Sequence, residues 1–335
     1  MSFSSEQIQK ISKEISGKVN GKTLFDEFSR GRYSTDASVY QIKPLGVILP
    51  KDTNDVLSIM DYSQKNSIPL LARGGGSSQC GQTVGESVVL DYSKHQNKIL
   101  ELNVEEKYVW VEPGVVLDHL NEYLKPYGLW FPVDVSTSSR ATIGGMSANN
   151  SCGSRSLYYG NMVHNVLAIE AILDDGSIFT FDQIEKNYLE KKNNQDRLYK
   201  IIDKFIDVRQ KVASDIKDNW PTTQRRVGGY NIDLIDPNGF NSSNLLIGSE
   251  GTLSLFNKIK LKLSEIPKNK ILGVCYFDNF HQAMELSKEI VKLKPTCVEL
   301  MDQNLLNLAR EMPIYAEGIK KYIKGNPEAV LMVEF

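Results

Sequence analysis

Residues 68–82 read IPLLARGGGSSQCGQ, a short apolar strand that runs directly into three consecutive glycines. Glycine has no Cβ, so the backbone here can adopt positive φ angles and come close to a ligand. Consecutive amide N–H groups in such a turn form a concavity that binds anions. The hydroxyls of Ser77 and Ser78 add two further hydrogen-bond donors. The stretch therefore predicts a pyrophosphate site at the end of a strand.

Two well-known phosphate loops do not match this stretch. The dinucleotide fingerprint G-x-G-x-x-G needs glycine where Gln79 stands, and the Walker A loop needs lysine where Gln82 stands. Without that lysine, the loop does not predict a nucleoside-triphosphate hydrolase. A flexible surface turn is the alternative, and these residues alone leave it open.

The segments around the glycines predict a small parallel βαβ unit. Strands are predicted at 46–49, 68–72 and 88–91, and a helix runs from Asp52 or Thr53 to about residue 66. The rest of the chain predicts further helices and strands. Its elements are a helical segment at 1–30, a strand at 107–112, a helix at 116–127, a hairpin at 166–173 and 177–181, a helix at 198–216, strands at 244–247, 253–263, 271–277, 297–300 and 329–335, and helices at 280–293 and 303–310.

Two further stretches are rich in small and hydroxyl residues. Residues 130–160 contain ATIGGMSANNSCG at 141–153, a stretch too poor in charge for a solvated linker and too polar for a packed core. Residues 246–253 place Glu250 between two glycines at a strand junction. An irregular loop and a simple turn are the alternatives, but small residues also allow close backbone contact with a polar ligand.

Composition excludes several classes of protein. The 335 residues carry 39 Lys+Arg and 41 Asp+Glu, a formal net charge of −2, and no dense basic cluster. We therefore expect neither a nucleic-acid partner nor adhesion to an anionic membrane. No apolar run is long enough to span a bilayer, although peripheral association stays open. The four cysteines are far apart without a C-x-x-C pair, as expected of reduced thiols in the cytoplasm.

Four motifs in register carry a resemblance to a known family. They are RGGGSS at 73–78, ATIGGMSANNSCG at 141–153, RRVGGYN at 225–231 and GSEGT at 248–252. Together they resemble the FAD-binding domain of the vanillyl-alcohol oxidase / p-cresol methylhydroxylase superfamily. The third motif is similar to an element of its 2-hydroxy-acid dehydrogenase branch, which includes D-lactate dehydrogenase, D-2-hydroxyglutarate dehydrogenase and the D-type subunit of glycolate oxidase.

The resemblance implies an α+β fold in which two subdomains clasp FAD and a cap follows. We expect a helical N-terminal extension at 1–30, an FAD-binding domain at 31–265 with subdomains near 40–95 and 96–265, and a partial, truncated ferredoxin-like cap at 266–335. Residues 32–40 and 133–141 resemble the long members that fuse this flavin unit to an iron–sulfur domain.

The resemblance also assigns cofactor-binding residues. The first loop would embrace the FAD pyrophosphate through Gly74, Gly75, Gly76, Ser77, Ser78, Gly81 and Gln82. The second segment would line the isoalloxazine and ribityl chain through Pro132, Thr142, Gly144, Gly145, Asn149, Ser151 and Gly153. Ile169 is expected beside the adenine, and Glu250 near the cofactor. Members with covalent FAD use a histidine in the first loop, where this chain has serines, so we expect non-covalent FAD.

The implied reaction is oxidation of a 2-hydroxy acid of the D-lactate, D-2-hydroxyglutarate or glycolate class. A hydride passes from the substrate α-carbon to flavin N5, and the electrons continue to an iron–sulfur or quinone acceptor, in a partner protein or domain. Arg226 is the candidate for the substrate carboxylate; its alternative is a surface arginine paired with Asp233 or Asp236. Tyr230 is expected near the flavin.

A catalytic base is missing from this assignment. The histidines at 95, 119, 164 and 281 have no metal-ligand spacing and are expected to be structural or exposed. Because the chain stops in an apolar strand, we expect a fragment, with the base, any divalent metal and any iron–sulfur cluster beyond Phe335. Two alternatives remain: a non-catalytic FAD-binding fragment, or a superfamily oxidoreductase acting on a sugar or a cell-wall precursor.

Overall fold

The computed structural model describes residues 3–186, 188, 196–223 and 225–335. The helices are α1 (Ser5–Ser16), α2 (Glu27–Arg32), α3 (Thr53–Asn66), α4 (Leu117–Leu124), α5 (Ile143–Asn149), α6 (Ser156–Tyr159), α7 (Met162–Asn165), α8 (Arg197–Lys211), α9 (Ala213–Asn219), α10 (Phe280–Val291), α11 (Gln303–Glu311) and α12 (Pro313–Tyr322). Short 3₁₀ turns lie at Lys125–Tyr127, Ile232–Leu234 and Ser242–Leu245. Among the described residues, no helix is both long and apolar enough to cross a membrane.

The strands that the structure describes belong to five sheets. They are β1 (Lys22–Leu24), β2 (Gly46–Leu49), β3 (Leu70–Arg73), β4 (Val88–Asp91), β5 (Ile99–Asn103), β6 (Tyr108–Val111), β7 (Leu129–Trp130), β8 (Val166–Ile172), β9 (Ile178–Phe181), β10 (Gln183–Glu185), β11 (Gly239–Asn241), β12 (Leu255–Lys262), β13 (Ser264–Glu265), β14 (Leu272–Phe277), β15 (Cys297–Asp302) and β16 (Ala329–Glu334).

The N-terminal sheet has the strand order β1-β2-β4-β3. Strands β2 and β3 both pair with β4 in parallel, which confirms the predicted βαβ unit. Helix α3 joins β2 to β3, and the Asp52 carboxylate caps it by accepting hydrogen bonds from the amides of Asn54 and Asp55. The glycine loop therefore leaves the carboxyl end of a parallel strand, where open α/β sheets bind their ligands.

Strand β1 is a departure from the predicted helical segment at 1–30. It pairs antiparallel with β2 instead. The reason is the buried carboxylate of Asp55, which accepts hydrogen bonds from the amides of Asn20 at 2.7 Å, Gly21 at 2.8 Å and Lys51 at 2.8 Å. These bonds turn the chain after α1 and lay it along the edge of β2.

A second sheet is antiparallel and has the order β5-β6-β12-β8-β9. The predicted hairpin is confirmed, because β8 and β9 turn at Gly176 with φ of 81°. Helices α4 and α5 pack on this sheet, and their fully buried Leu120 and Ile143 meet Phe131 and Ile169 in the largest apolar core. This core fixes the segment between β7 and α5, which borders the site described below.

Two further predicted elements differ from the structure. The strand predicted at 244–247 is wrong: a 3₁₀ turn occupies Ser242–Leu245, and the Asn241 side chain starts it by accepting from the Ser243 amide at 3.0 Å. The run Leu245, Leu246 and Ile247 is buried throughout, so its side chains do not alternate as in a half-exposed strand. The helix predicted at 198–216 is split into α8 and α9.

The C-terminal sheet is antiparallel, with the order β14-β16-β15. Helix α10 covers one face through Ala283 and Ile290, and Leu306 of α11 with Ile323 covers the other. The strand order agrees with the partial ferredoxin-like cap expected from the sequence. Helix α12 was not predicted; Pro313 starts it at the first helical position, where its missing N–H costs no hydrogen bond.

An ion bridge attaches this C-terminal sheet to the rest of the protein. The Arg155 guanidinium donates to both carboxylate oxygens of Glu334 in β16, at 2.8 and 2.9 Å, and also reaches the carboxylate of Asp134 at 3.3 Å. The Thr296 hydroxyl donates to Glu334 at 3.0 Å. Arg155 lies 5.8 Å from the ring centroid of Trp130. We call Asp134, Arg155 and Glu334 the cap bridge.

We predict that Asp55→Asn destabilises the fold. An amide nitrogen cannot accept a hydrogen bond, so at least one of the three backbone donors in these part-buried hydrogen bonds loses its partner. We expect a loss of about 2 kcal/mol in the free energy of unfolding. Urea denaturation measures this. Asp61→Asn, on the exposed side of the same helix in a surface pair with Lys65, is the matched control and should change stability by less than about 0.5 kcal/mol. Equal effects of the two variants would contradict the account of β1.

The cap bridge predicts a pH dependence. Hydrogen bonds from Arg155 lower the pKa of Glu334 to about 2 from its ordinary value of 4.5. The bridge therefore stabilises the protein fully above about pH 4.5, and this contribution is lost as pH falls through about 2. Glu334→Gln should be less stable than the wild type near neutral pH, and the difference should shrink below about pH 4.5.

Chemical denaturation across this pH range measures the difference. Glu299→Gln, which changes an exposed carboxylate on the neighbouring strand β15, is the control. A stability difference for Glu334→Gln that stays constant with pH would show that the carboxylate is not held in the charged form by Arg155.

Candidate functional site

A cavity of about 440 Å³ lies between the N-terminal sheet and the antiparallel sheet. This is within the size range of small-molecule and cofactor sites. The three stretches singled out by the sequence form much of its wall. Twelve of the residues predicted to bind a cofactor line it: Gly74, Gly75, Gly76, Ser77, Ser78, Gln82, Thr142, Gly144, Gly145, Asn149, Ser151 and Glu250.

Four residues predicted to bind the cofactor lie outside the cavity lining. Gly81, with φ of 80°, lies against the ring of Tyr40 where the glycine loop turns back. Gly153 is pressed against the carbonyl of Asp134, where no Cβ fits. Pro132 is buried, and the side chain of Ile169, in the middle of β8, is fully buried in the largest apolar core.

The first glycine loop has unused hydrogen-bond donors. Within the described part of the chain, the backbone amides of residues 74–79 donate to no protein acceptor. The loop is nevertheless anchored, because the Arg73 guanidinium donates to the carbonyls of Tyr33 at 3.3 Å, Thr35 at 2.8 Å and Thr83 at 3.0 Å. A run of free amides on a fixed loop is suited to an anion such as a pyrophosphate.

Glycine is required in this loop by its close contact with the second segment. A Cβ on Gly74 would collide with the side chain of Thr142, and a Cβ on Gly75 would collide with the carbonyl of Arg140. Gly76 has φ of 63°, which side-chain-bearing residues rarely adopt. These contacts hold the loop against the start of α5, and residues 74–79 line the cavity there.

The second segment uses its own amides differently. At the start of α5, the amide of Ile143 donates to the Val115 carbonyl and that of Gly144 to the Pro113 carbonyl, both at 2.8 Å. The amide of Gly145 donates to the Thr142 hydroxyl at 3.3 Å. These donors are therefore occupied, unlike the amides of residues 74–79 in the first loop. The glycine pair of α5 serves close packing, since a Cβ on Gly144 would lie 2.6 Å from Pro113 Cβ.

Glu250 connects the three stretches. Its Oε1 accepts hydrogen bonds from Gln82 Nε2 at 2.9 Å and from Asn149 Nδ2 at 3.3 Å. Its backbone is left-handed, with φ of 51°, and its amide donates to the carbonyl of Ala148 at 2.9 Å. The carboxylate thus joins the first loop to the end of α5, and the side chains around it are polar.

The two residues proposed for the substrate lie outside the cavity lining. Arg226 forms an ion pair with Asp233 and lies 5.2 Å from the ring centroid of Trp220. This pairing with Asp233 is the alternative to a substrate-binding role for Arg226. The hydroxyl of Tyr230 lies 2.8 Å from the hydroxyl of Thr252. Val227, the residue after Arg226, does line the cavity. The RRVGGYN motif therefore borders the cavity through its valine.

The four histidines do not line the cavity either, and no group of three metal-ligating side chains occurs among the residues that the structure describes. His164 has a structural role: its Nδ1 accepts from the Asn161 amide at 3.0 Å, at the start of α7. Burial, and then the charge of Arg226, lower the pKa of His164. Neutral His164 is therefore the favoured form.

Sequence reasoning missed part of the cavity wall. Tyr92 follows β4, and Ser254, Leu255 and Phe256 follow the GSEGT motif; all four line the cavity. Tyr92 could have been found, because it lies at the carboxyl end of the strand next to β3, on the edge where ligands bind. Cys80 and Cys152 also line the cavity, and all four cysteines are free.

Comparison with known proteins identifies the family. Residues 44–182 match the FAD binding domain family, and residues 266–335 match the C-terminal domain of FAD linked oxidases. The chain belongs to the FAD-linked oxidases. The resemblance drawn from the four motifs is thereby confirmed, and so is FAD as the cofactor.

Curated relatives of this FAD-linked oxidase place it in the 2-hydroxy-acid dehydrogenase branch. It is 34% identical over 322 residues to D-2-hydroxyglutarate dehydrogenase of Escherichia coli, covering 93% of this chain and 31% of that protein. It is 29% identical to glycolate oxidase subunit GlcD of Bacillus subtilis, covering 98% of this chain and 59% of that protein. The chain thus spans between about a third and three fifths of these relatives.

A solved structure shows the same fold. Alkyldihydroxyacetonephosphate synthase superposes on this FAD-linked oxidase with a TM-score of 0.69 and 17% sequence identity. The superposition covers 98% of this chain and 55% of that protein. The likeness shows a shared overall fold.

The cavity fits FAD on the chemistry of its donors. The diphosphate of FAD is an anion, and the free amides of residues 74–79 are donors held without a partner at the cavity wall. The remainder of the lining mixes small, apolar and hydroxyl-bearing residues, as a flavin and a nucleoside require. The first loop has Ser77 and Ser78 at the positions where a histidine would be needed for a covalent bond to FAD.

We predict that Gly75→Ala impairs FAD binding. The new Cβ would collide with the Arg140 carbonyl, so the loop must shift. Its amides would then no longer be positioned to donate hydrogen bonds to the diphosphate. Several hydrogen bonds of about 1 kcal/mol each are at stake, so we expect the dissociation constant to rise at least about tenfold. Quenching of flavin fluorescence measures it.

Gly31→Ala is the matched control, because a Cβ at that position has no heavy atom within 4 Å. Thermal unfolding of both FAD-free variants separates loss of affinity from loss of fold. Wild-type affinity in a folded Gly75→Ala variant would contradict the close contact of the two segments.

Proposed function

We propose that this FAD-linked oxidase oxidises a 2-hydroxy acid of the D-2-hydroxyglutarate, D-lactate or glycolate class to the 2-oxo acid. The observation that carries the proposal is that the predicted motifs line the same cavity. The first glycine loop has free backbone amides there, and the RRVGGYN motif borders the cavity through Val227. Support comes from the relatives, which are named D-2-hydroxyglutarate dehydrogenase, glycolate oxidase subunit GlcD and D-lactate dehydrogenase.

The chain's residues have three tasks in this proposal. The loop of residues 74–79 holds the diphosphate, Glu250 keeps the loop and α5 together, and the cap bridge sets the position of the C-terminal sheet next to Gly153 and Ser154. When bound, FAD supplies the acceptor for the hydride of the substrate α-carbon. Orientation of the substrate then decides the rate, because hydride transfer needs close and aligned reactants.

The substrate carboxylate calls for an arginine, and the chain offers two neighbours. Arg226 is already neutralised by Asp233, so a substrate must compete with that carboxylate. Arg225 is exposed and makes one long hydrogen bond, at 3.4 Å, to the carbonyl of Gly153. We propose that this arginine pair, next to the cavity-lining Val227, receives the carboxylate. Tyr230 belongs to the same border.

Three further points complete the proposal. FAD is held without a covalent bond, since the first loop has serines where a histidine would be needed. The electrons leave to an iron–sulfur or quinone acceptor, in a partner protein or domain. The protein acts in the cytoplasm, where its four free cysteines stay reduced.

We predict that D-2-hydroxyglutarate, D-lactate or glycolate bleaches the FAD-loaded protein. Under anaerobic conditions no oxygen re-oxidises the flavin, so hydride transfer is seen directly as loss of its visible absorbance. Stopped-flow spectroscopy with each acid gives the rate. L-2-hydroxyglutarate is the control for stereochemistry. Arg225→Gln and Arg226→Gln, tested separately, show which arginine raises the apparent affinity for the acid.

Each outcome decides between the candidate functions. Bleaching by one of the three acids supports the proposal and names its substrate. A protein that binds FAD tightly and is not bleached by any of them contradicts it, and leaves a non-catalytic FAD-binding unit. Bleaching by a sugar alone would place the protein with the sugar oxidases of the same superfamily.

A further inference from the structure

Two hydroxyls in the cavity wall have no hydrogen-bond partner. The Tyr92 hydroxyl and the Ser254 hydroxyl are both buried and unpaired. The residues are only 5% and 8% exposed, and both line the cavity. An unpaired buried hydroxyl is costly to a folded protein, since it has given up its bonds to water. A ligand that enters this part of the cavity would restore those bonds.

The position of the two residues indicates which part of a ligand they would meet. The Tyr92 amide donates to the Arg73 carbonyl at 3.1 Å, directly before the glycine loop. Tyr92 packs with Ile172 and Leu255 in the core of the N-terminal sheet, and Ser254 precedes Leu255. The cavity-lining Ser151 and Cys152, in contrast, lead through Gly153 to Arg155 and the cap bridge.

The glycine loop therefore has two sides. One side is bordered by Ser151 and Cys152, which lead along the chain to Arg155 and the cap bridge. The other side is bordered by Tyr92, which follows β4 of the N-terminal sheet, and by Ser254 and Leu255 at the start of β12. If the diphosphate is bound at the loop, the flavin half must extend toward the cap and the adenosine half toward Tyr92 and Ser254.

We propose that the hydroxyls of Tyr92 and Ser254 hydrogen-bond the adenosine half of FAD and so select the dinucleotide over shorter flavins. Both hydroxyls can donate and accept, and adenosine offers ring nitrogens, an exocyclic amine and ribose hydroxyls as partners. A ligand that lacks adenosine leaves both hydroxyls unpaired. This inference rests on FAD binding by the chain and is independent of which substrate is oxidised.

The test compares FAD, ADP and FMN on the FAD-stripped full chain. Tyr92→Phe and Ser254→Ala remove only the hydroxyls. Each should weaken binding of FAD and of ADP by about 3- to 10-fold, because one net hydrogen bond is lost. FMN, which has no adenosine, should bind to the wild type and to both variants with the same affinity. Fluorescence quenching serves the flavins, and titration calorimetry serves ADP.

A second measurement separates ligand contact from a structural role. Without FAD, Tyr92→Phe should unfold at the same temperature as the wild type or higher, because it removes an unpaired buried hydroxyl. The increase in unfolding temperature on adding FAD should be smaller than for the wild type. Ser63→Ala is the matched control, since the Ser63 hydroxyl is also buried and unpaired but Ser63 does not line the cavity.

Three results would overturn the inference. Unchanged FAD affinity in both variants would show that the hydroxyls do not contact the cofactor. Equal weakening of FAD and FMN would place the contact on the flavin half. A drop in FAD affinity for Ser63→Ala equal to that of Ser254→Ala would show a general effect of removing buried hydroxyls. Loss of substrate bleaching with normal FAD and ADP affinities would instead contradict only the proposed reaction.

Discussion

The structure depends on the contact between the first glycine loop and the segment before α5. Gly74 and Gly75 lie so close to Thr142 and Arg140 that neither tolerates a Cβ. This contact holds the loop in place without using its amides, while Arg73 anchors the loop from behind through three carbonyls. A loop that is rigid and yet has unused donors is pre-organised for an anion, so binding does not have to pay for ordering it.

Two sheets with different topologies meet at this contact. The parallel sheet supplies the glycine loop at the end of β3, and the antiparallel sheet supplies α5 and the GSEGT turn. Glu250 joins them with hydrogen bonds to Gln82 and Asn149. The cap bridge then attaches the C-terminal sheet next to Gly153. The cofactor cavity and the cap therefore share the stretch of backbone at 151–155. A near-neutral net charge is sufficient, because backbone amides and not lysines hold the anion.

The sequence was most informative where a physical requirement is local. Glycine triplets, an Asp cap and an Asp-Asp-Gly turn each need particular residues at particular positions, and the parallel unit, helix α3 and the hairpin were predicted from them. The prediction of a strand at 244–247 was wrong because a fully buried apolar run does not show whether its side chains repeat with the period of a strand or of a helix. Strand β1 was not predicted because the carboxylate that holds it, Asp55, lies more than 30 residues away in the chain. Arg226 and Tyr92 needed the fold, since an ion pair and an orphan hydroxyl are relations between distant residues.

The central claim is that the amides of residues 74–79 are free in the protein and become occupied by the cofactor. Hydrogen–deuterium exchange of a peptide that covers this loop tests it most directly, because amides without acceptors exchange fast. The account predicts rapid exchange without FAD and strong protection with FAD, while the start of α5, whose amides are already paired, changes little. Protection of the loop before FAD is added, or no change after it binds, would contradict the account.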